Sequence, residues 1–376
     1  MKKIRLLQVI PNLNSGGAER GTVDIANAIV KSDNISFVVS NGGRLERNLK
    51  LNKTNFIKLP VHSKNPWIIY RNINKIQNIV KKNNINIIHT RSRAPAWSTY
   101  YVAKKNKTKS VSTFHNIYDS SNKLKKIYNS QLGKANSIIA ISNFVKSKII
   151  ELYNIPEKKI RVIHRGIDGE YFDIMKIKED LFLEFIKNNN LFYDKKIILY
   201  PARLTSWKGQ IEFLDILKKL DSNKYFCIFA GDDNNLSYTK KLIHKINSLG
   251  LSSSCKLMGH VDDMRYLYKL SHVVINASIK PEGFGRTIGE SFLMNKPVIA
   301  YDHGGVSEQM KMYEKDFKIP YKDQAKMVNS INFLLDVNYE SISKIVSKSN
   351  LYIKNNFSKK NMISKTIKLY QDILSK

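Results

Sequence analysis

The stretch from Ile4 to Ser40, IRLLQVIPNLNSGGAERGTVDIANAIVKSDNISFVVS, decides the fold. Its first run, Ile4 to Ile10, is apolar, strand-length and closed by Pro11-Asn12. An amphipathic stretch from about Glu19 to Lys31 reads as a helix, and Ile35 to Ser40 reads as a second strand. Strand, crossover helix and strand make the unit of a parallel α/β sheet. The alternation continues: a strand at Ile85 to His89, a helix near Pro95 to Lys105, and strands at Ser110 to His115 and Ser137 to Ser142. A helix through Tyr153 and a strand at Arg161 to His164 complete one doubly wound domain.

From Arg165 to Leu191 the strand pattern lapses, and at Lys196 to Pro201 it resumes. Further strands are expected near Tyr225 to Ala230, Lys256 to Met258, Val273 to Asn276, Val298 to Tyr301 and Phe317 to Ile319. The expected fold class is therefore α/β, two Rossmann-like doubly wound domains facing each other across a cleft. The expected boundaries are residues 1–170 for the first domain and 171–355 for the second. A C-terminal helix, 356–376, is expected to pack across the junction.

A chain of 376 residues, 42% hydrophobic, is long enough to bury two cores. Its two cysteines, Cys227 and Cys255, lie in apolar runs without metal-ligand spacing, so neither a disulfide framework nor a zinc site is expected. No run approaches the ~18 uninterrupted apolar residues of a membrane-spanning helix. The N-terminus reads as a strand and not as a signal peptide, because Arg5 and Gln8 interrupt the apolar run. Lys and Arg total 63 against 31 Asp and Glu, a net charge of +32 that favours anionic partners. The basic residues are scattered along the sequence without a helix-turn-helix, RNP or zinc-finger signature, which argues against nucleic acid as a partner. An anionic membrane surface fits better, each well-placed Lys or Arg being worth ~1 kcal/mol there. Part of the excess reflects a general Lys, Asn and Ile enrichment.

The densest constellation is Pro281 to Glu290, PEGFGRTIGE, which follows a strand and opens a helix. Unpaired N–H groups at a helix start, with glycines that let a ligand approach the backbone, suit a diphosphate. Glu290 stands where a ribose diol could donate to it, and Glu282 where it could meet a sugar hydroxyl. Taken alone, two carboxylates at this spacing more often just complement a helix dipole. A second element shifts the balance: strand Lys196 to Pro201 runs into Arg203 and Lys208, a rigid fork and a mobile point charge at the carboxyl end of a strand.

Together these motifs resemble glycosyltransferase family 4, the retaining group 1 enzymes of GT-B fold that use nucleotide sugars. The matching pieces run in order along nearly the whole chain: Gly16 to Glu19, Thr113-Phe114-His115, Ala140-Ile141-Ser142, Arg165-Gly166-Ile167-Asp168, Arg203 to Gly209, Ala230-Gly231, Gly259-His260-Val261, Glu282 to Glu290, and Gly304 to Glu308. The resemblance implies that Arg203 and Lys208 bind the donor diphosphate, Glu290 the ribose and Glu282 the donor sugar. It implies that backbone at Phe284, Gly285, Thr287 and Ile288 completes the phosphate and sugar site, with backbone around Gly259 facing the base. His115 and Gly17 would approach the transferred sugar from the N-terminal domain. One position departs from the pattern: the family often carries Asn where this chain has Arg165.

The segment His89 to Trp97 is similar to bacterial lipopolysaccharide and cell-surface glycan transferases, and its Arg91 and Arg93 are expected to contact an acidic acceptor. No metal or other cofactor is expected, since Arg203 and Lys208 take that part; the nucleotide sugar, by default a UDP-sugar, is a co-substrate. The expected product is a hexose joined with retention to a lipid-linked or lipopolysaccharide-type glycan, made at the cytoplasmic face of the inner membrane. Two rivals remain at this stage: a nucleotide-sugar epimerase of the same fold, and a nucleic-acid-binding protein. A P-loop NTPase is excluded, because no GxxxxGK[ST] occurs.

Overall fold

The computed structural model describes residues 2–14, 16–51, 53–118, 120–191 and 194–376. Backbone contacts divide the chain into two units, Met1–Gly166 with Lys359–Lys376, and Ile167–Ser358.

The first unit contains strands β1 (Arg5–Val9), β2 (Ile35–Ser40), β3 (Asn55–Lys58), β4 (Ile87–Thr90), β5 (Lys109–Phe114), β6 (Ser137–Ala140) and β7 (Ile160–Val162). They form one seven-stranded sheet in the order β3-β2-β1-β4-β5-β6-β7, every neighbour parallel. Side chains alternate between its faces. Leu6 and Ile87 pack with Ile25 and Ile29 of the helix Gly17–Lys31, whereas Leu7 and Ile88 pack with Ile76, Val80 and Val102 from the helices Pro66–Lys82 and Arg93–Lys105. Both faces are thus covered, which is why the strands read as continuous apolar runs.

Several elements of this unit have no counterpart in the sequence reading, among them β3, the helix Pro66–Lys82 and the short helices Glu46–Leu51 and Lys123–Ser130. β3 is a four-residue edge strand with exposed ends, and the helix Pro66–Lys82 starts at Asn65, whose side chain accepts from Trp67 N at 2.9 Å. The tail is helical but broken, Tyr339–Asn356 and then Lys359–Ser375. The last helix belongs to the first unit: Leu369, Tyr370 and Ile373 are buried against Ile4, Leu6 and Ile139.

The second unit contains β8 (Lys196–Pro201), β9 (Tyr225–Ala230), β10 (Cys255–Gly259), β11 (Val273–Asn276), β12 (Val298–Tyr301) and β13 (Lys318–Ile319). They pair in parallel in the order β10-β9-β8-β11-β12-β13. Tyr200, Phe213, Phe229 and Phe292 are fully buried in its core. In open parallel sheets ligands bind beyond the carboxyl ends of the strands, and there the loops of both units carry the motif residues.

Candidate functional site

In the second unit the loop after β8 curls into a single helical turn, Ser206–Lys208. Gly209 ends it at φ +82°, and a Cβ there would lie 2.4 Å from Ala277 O, so the turn closes against the loop after β11 only with glycine. Ile279 N donates to Trp207 O at 3.0 Å, and the Tyr200 hydroxyl donates to Lys208 O, holding the turn from both sides. Lys208 Nζ then sits 2.7 Å from Glu282 Oε1 and 4.4 Å from the centre of the Trp207 ring.

Glu282, 9% exposed, also accepts from Ser278 Oγ at 2.7 Å and Asn276 Nδ2 at 2.9 Å. Burial opposes its charge, but Lys208, followed by Ser278 and Asn276, outweighs burial and holds the carboxyl below its ordinary value. Its carbonyl accepts from Gly305 N at 2.8 Å, so the loops after β11 and β12 are stitched together under it. Asn276 and Ser278, which the sequence reading did not single out, orient the carboxylate.

The helix Arg286–Leu293 begins at Gly285, φ +78°, where a Cβ would meet Val306 Cγ2 at 2.7 Å. Gln309, fully buried, donates to the carbonyls of both Phe284 and Gly285 and freezes the turn. The first-turn N–H groups of Arg286 and Thr287 find no partner inside such a helix. Ile288 differs from expectation: its N–H is taken by Gly285 O at 3.1 Å and is not a free donor for phosphate. Phe284 turns its ring onto Phe357, centroids 5.6 Å apart. Thr287 Oγ1 accepts from Asn276 at 3.2 Å, joining the helix start to the Glu282 cluster.

One turn on, Glu290 accepts from the Tyr268 hydroxyl at 3.0 Å and pairs with Arg286 at 3.2 Å. Burial and the Glu290 carboxylate push the Tyr268 phenol well above its usual range, so it stays a donor. Arg203 is exposed, and its guanidinium has no partner among the described residues. Gly259, φ +63°, accepts from Gly231 N at 2.7 Å, and a Cβ on Gly231 would lie 2.3 Å from Ala202 O. The ends of β8, β9 and β10 therefore converge on close backbone contacts next to Arg203.

In the first unit His115 follows β5. Its Nδ1 accepts from Arg165 at 2.9 Å, and Arg165 also donates to Gly17 O at 2.6 Å. Because a guanidinium only donates, the neutral ring must carry its proton on Nε2, and that buried Nε2 has no partner among the described residues. Burial, with Arg165 and Arg91 nearby, lowers the His115 pKa well below its ordinary value. Arg165 thus joins His115 to Gly17, a role that sequence could not supply.

Arg91 corrects the sequence reading. It is 5% exposed and donates from Nε to Gln8 Oε1 at 3.0 Å inside the sheet end, so it offers no open guanidinium to an acceptor. Arg93 is half-buried, bonded to Asn129 Oδ1 at 3.0 Å and lying 4.1 Å over the Tyr118 ring. His89 is wholly structural, held between Tyr370 and Thr113.

Comparison with known proteins agrees with this arrangement. The pattern of Glycosyltransferase Family 4 matches residues 15–171, and that of Glycosyl transferases group 1 matches residues 182–355. A glycosyltransferase structure from Rickettsia africae is 35% identical, spans 100% of this chain and 99% of its own, and superposes with a TM-score of 0.89. Anabaena Alr3699/HepE, solved with UDP and glucose, is 19% identical over 98% of this chain and 100% of its own, with a TM-score of 0.85, a likeness of fold. An uncharacterised glycosyltransferase of Methanocaldococcus jannaschii, MJ1607, is 31% identical over 178 residues, 46% of this chain and 44% of the relative. The chain thus spans about half the length of the first curated relatives it matches. With its family 4 and group 1 halves in order on two parallel α/β sheets, the chain belongs to the family 4/group 1 glycosyltransferases of GT-B fold.

Proposed function

We propose that the chain transfers a hexose-type sugar from a UDP-sugar to an anionic, lipid-linked or lipopolysaccharide-type glycan, with retention of anomeric configuration and without a bound metal. The observation that carries this reading is the buried Lys208–Glu282 pair, 2.7 Å apart, beside a glycine-built helix start. Lys208 and the exposed Arg203 meet the diphosphate, the first-turn amides of Arg286 and Thr287 add to that field, and Glu290 takes the ribose. Glu282 accepts from a hydroxyl of the sugar, and in the first unit the Nε2–H of His115 is a donor held ready for a substrate hydroxyl.

In the reaction the C1–O bond to the diphosphate breaks with its electron pair leaving on phosphate. The acceptor oxygen bonds C1 on the same face, and its proton passes to the departing phosphate oxygen. Charge grows on the diphosphate, so preorganised cations lower the barrier. The UDP complex of the Anabaena structure supports the choice of nucleotide.

The test is thermal unfolding with UDP, GDP, ADP and CMP, followed by product analysis with sugar conjugates of the nucleotide that stabilises. UDP at a hundred times its Kd adds ~2.7 kcal/mol, and Glu290→Ala abolishes the shift. Stabilisation by UDP that survives Glu290→Ala refutes the site, and an epimerised free nucleotide sugar as product refutes the transfer.

A further inference from the structure

The positive charge is not spread evenly. The first unit holds 36 Lys and Arg against 8 Asp and Glu, net +28, and the second holds 27 against 23, net +4. Scattered in sequence, the basic residues are gathered in one unit. From Arg47 to Tyr118 the chain runs 72 residues with 15 Lys and Arg and no Asp or Glu. A bias that enriches Lys throughout a chain does not strip carboxylates from one stretch of it.

That stretch and the helix that follows it expose large apolar side chains. Trp67 is 73% exposed and Tyr70 56% exposed on the first turns of the helix Pro66–Lys82, their rings in edge contact at 6.1 Å. On the helix Lys123–Ser130, Leu124 is 79% and Ile127 47% exposed between the exposed Lys123, Lys125 and Lys126. Right-handed crossovers from β3 through β6 put these connections on one side of the sheet. The helix Pro66–Lys82 packs on Arg93–Lys105, which packs on the turn Gln131–Lys134 that continues from Lys123–Ser130. Lys64, Arg71 and Lys75 are exposed around the aromatic pair.

We infer that this side of the first unit docks on an anionic lipid bilayer, with Trp67 and Tyr70 at the headgroup level and Leu124 and Ile127 dipping into the acyl boundary. Single exposed apolar residues are ordinary, but here two pairs stand among exposed lysines and arginines. Trp and Tyr favour the membrane interface, and Lys and Arg are drawn to anionic headgroups. Nucleic acid would use aromatic rings for stacking but has no use for Leu124 and Ile127. Among the described residues no helix is long and apolar enough to cross a membrane, so the contact is peripheral. The assignment rests on the reading that the acceptor is lipid-linked.

Sedimentation of the full chain with phosphatidylcholine vesicles, with and without phosphatidylglycerol, tests it. The wild type pellets only with the anionic vesicles, and high salt releases it. Trp67→Ala/Tyr70→Ala and Lys123→Glu/Lys125→Glu/Lys126→Glu each weaken binding about tenfold without lowering the melting temperature, because these side chains are exposed. Trp emission shifts to the blue on binding, and Trp67→Phe removes the shift while binding persists. Wild-type binding that both sets of substitutions leave intact overturns the face and leaves the lipid-linked reading standing. No binding to anionic vesicles overturns both. Salt-sensitive retention on single-stranded DNA, lost in Trp67→Ala/Tyr70→Ala and without vesicle binding, reassigns the face to nucleic acid.

Discussion

Replacing Lys208 by Met leaves Glu282 buried without its counter-charge. Removing one partner of a buried ion pair destabilises a protein by roughly 3–5 kcal/mol. Glu282 keeps hydrogen bonds from Ser278 at 2.7 Å and Asn276 at 2.9 Å, which places the loss near the low end, about 3 kcal/mol. For a unit of 192 residues that lowers the melting temperature by about 6–12 °C. The pH dependence follows from the sign of the shift. In the wild type the carboxyl lies below its ordinary 4.5, so its contribution is present above that value and is lost as pH falls through the folded pKa. In Lys208→Met burial is unopposed by an ion partner and lifts the carboxyl above 4.5. The destabilisation is therefore largest at neutral pH and shrinks as pH falls, first through the raised carboxyl of the variant and then, below 4.5, through the lowered carboxyl of the wild type. Lys208→Met/Glu282→Gln recovers most of the stability but none of the turnover, which falls ~100- to 1,000-fold when such a cation is lost. Melting curves across pH with wild type, single and double variants decide the matter. A single variant as stable as wild type at neutral pH, or one with normal turnover, refutes the reasoning.

Arg165→Asn removes both the donor to His115 Nδ1 and the tie to Gly17 O, and turnover is expected to fall ~100-fold through loss of positioning; Arg165→Lys does not rescue it, because an ammonium lacks the two-pronged fork. Normal kcat and KM in Arg165→Asn would remove Arg165 from the site. His89 and His115 are both held well below their ordinary 6.5 by burial, so below that pH the unfolded chain binds protons that the folded chain does not. The melting temperature is expected to drop as pH falls below 6.5, and a flat profile there contradicts the buried, neutral assignment.

The strands announced themselves because sheets covered on both faces demand unbroken apolar runs, and β8 or β11 can be read from Lys196-Ile197-Ile198-Leu199-Tyr200-Pro201 or Val273-Val274-Ile275-Asn276. β3 did not, since Asn55-Phe56-Ile57-Lys58 lies at an edge, is short and buries only part of its surface. The Lys208–Glu282 meeting was half legible: the motifs were visible, but nothing in their spacing shows that the Gly209 turn closes on Ala277 and brings them to 2.7 Å. Arg91 misled because an arginine after a strand looks solvated. Its sequence signal was Gln8, a polar residue in a buried strand, which needs a partner. Arg165 was visible as a departure from the family pattern, but its meaning needed the distance to His115, 50 positions away.

The final helix completes the core of the first unit, with Tyr370 bonded to His89 and Leu369 and Ile373 packed beneath β1. The second unit is therefore an insertion in the first, leaving after Gly166 and returning at Lys359. During synthesis the inserted unit has its whole chain while its host still lacks a side of its core. Ordered biogenesis is thereby built into the topology: the inserted unit can mature first, and the basic unit closes only when the helix Lys359–Ser375 arrives.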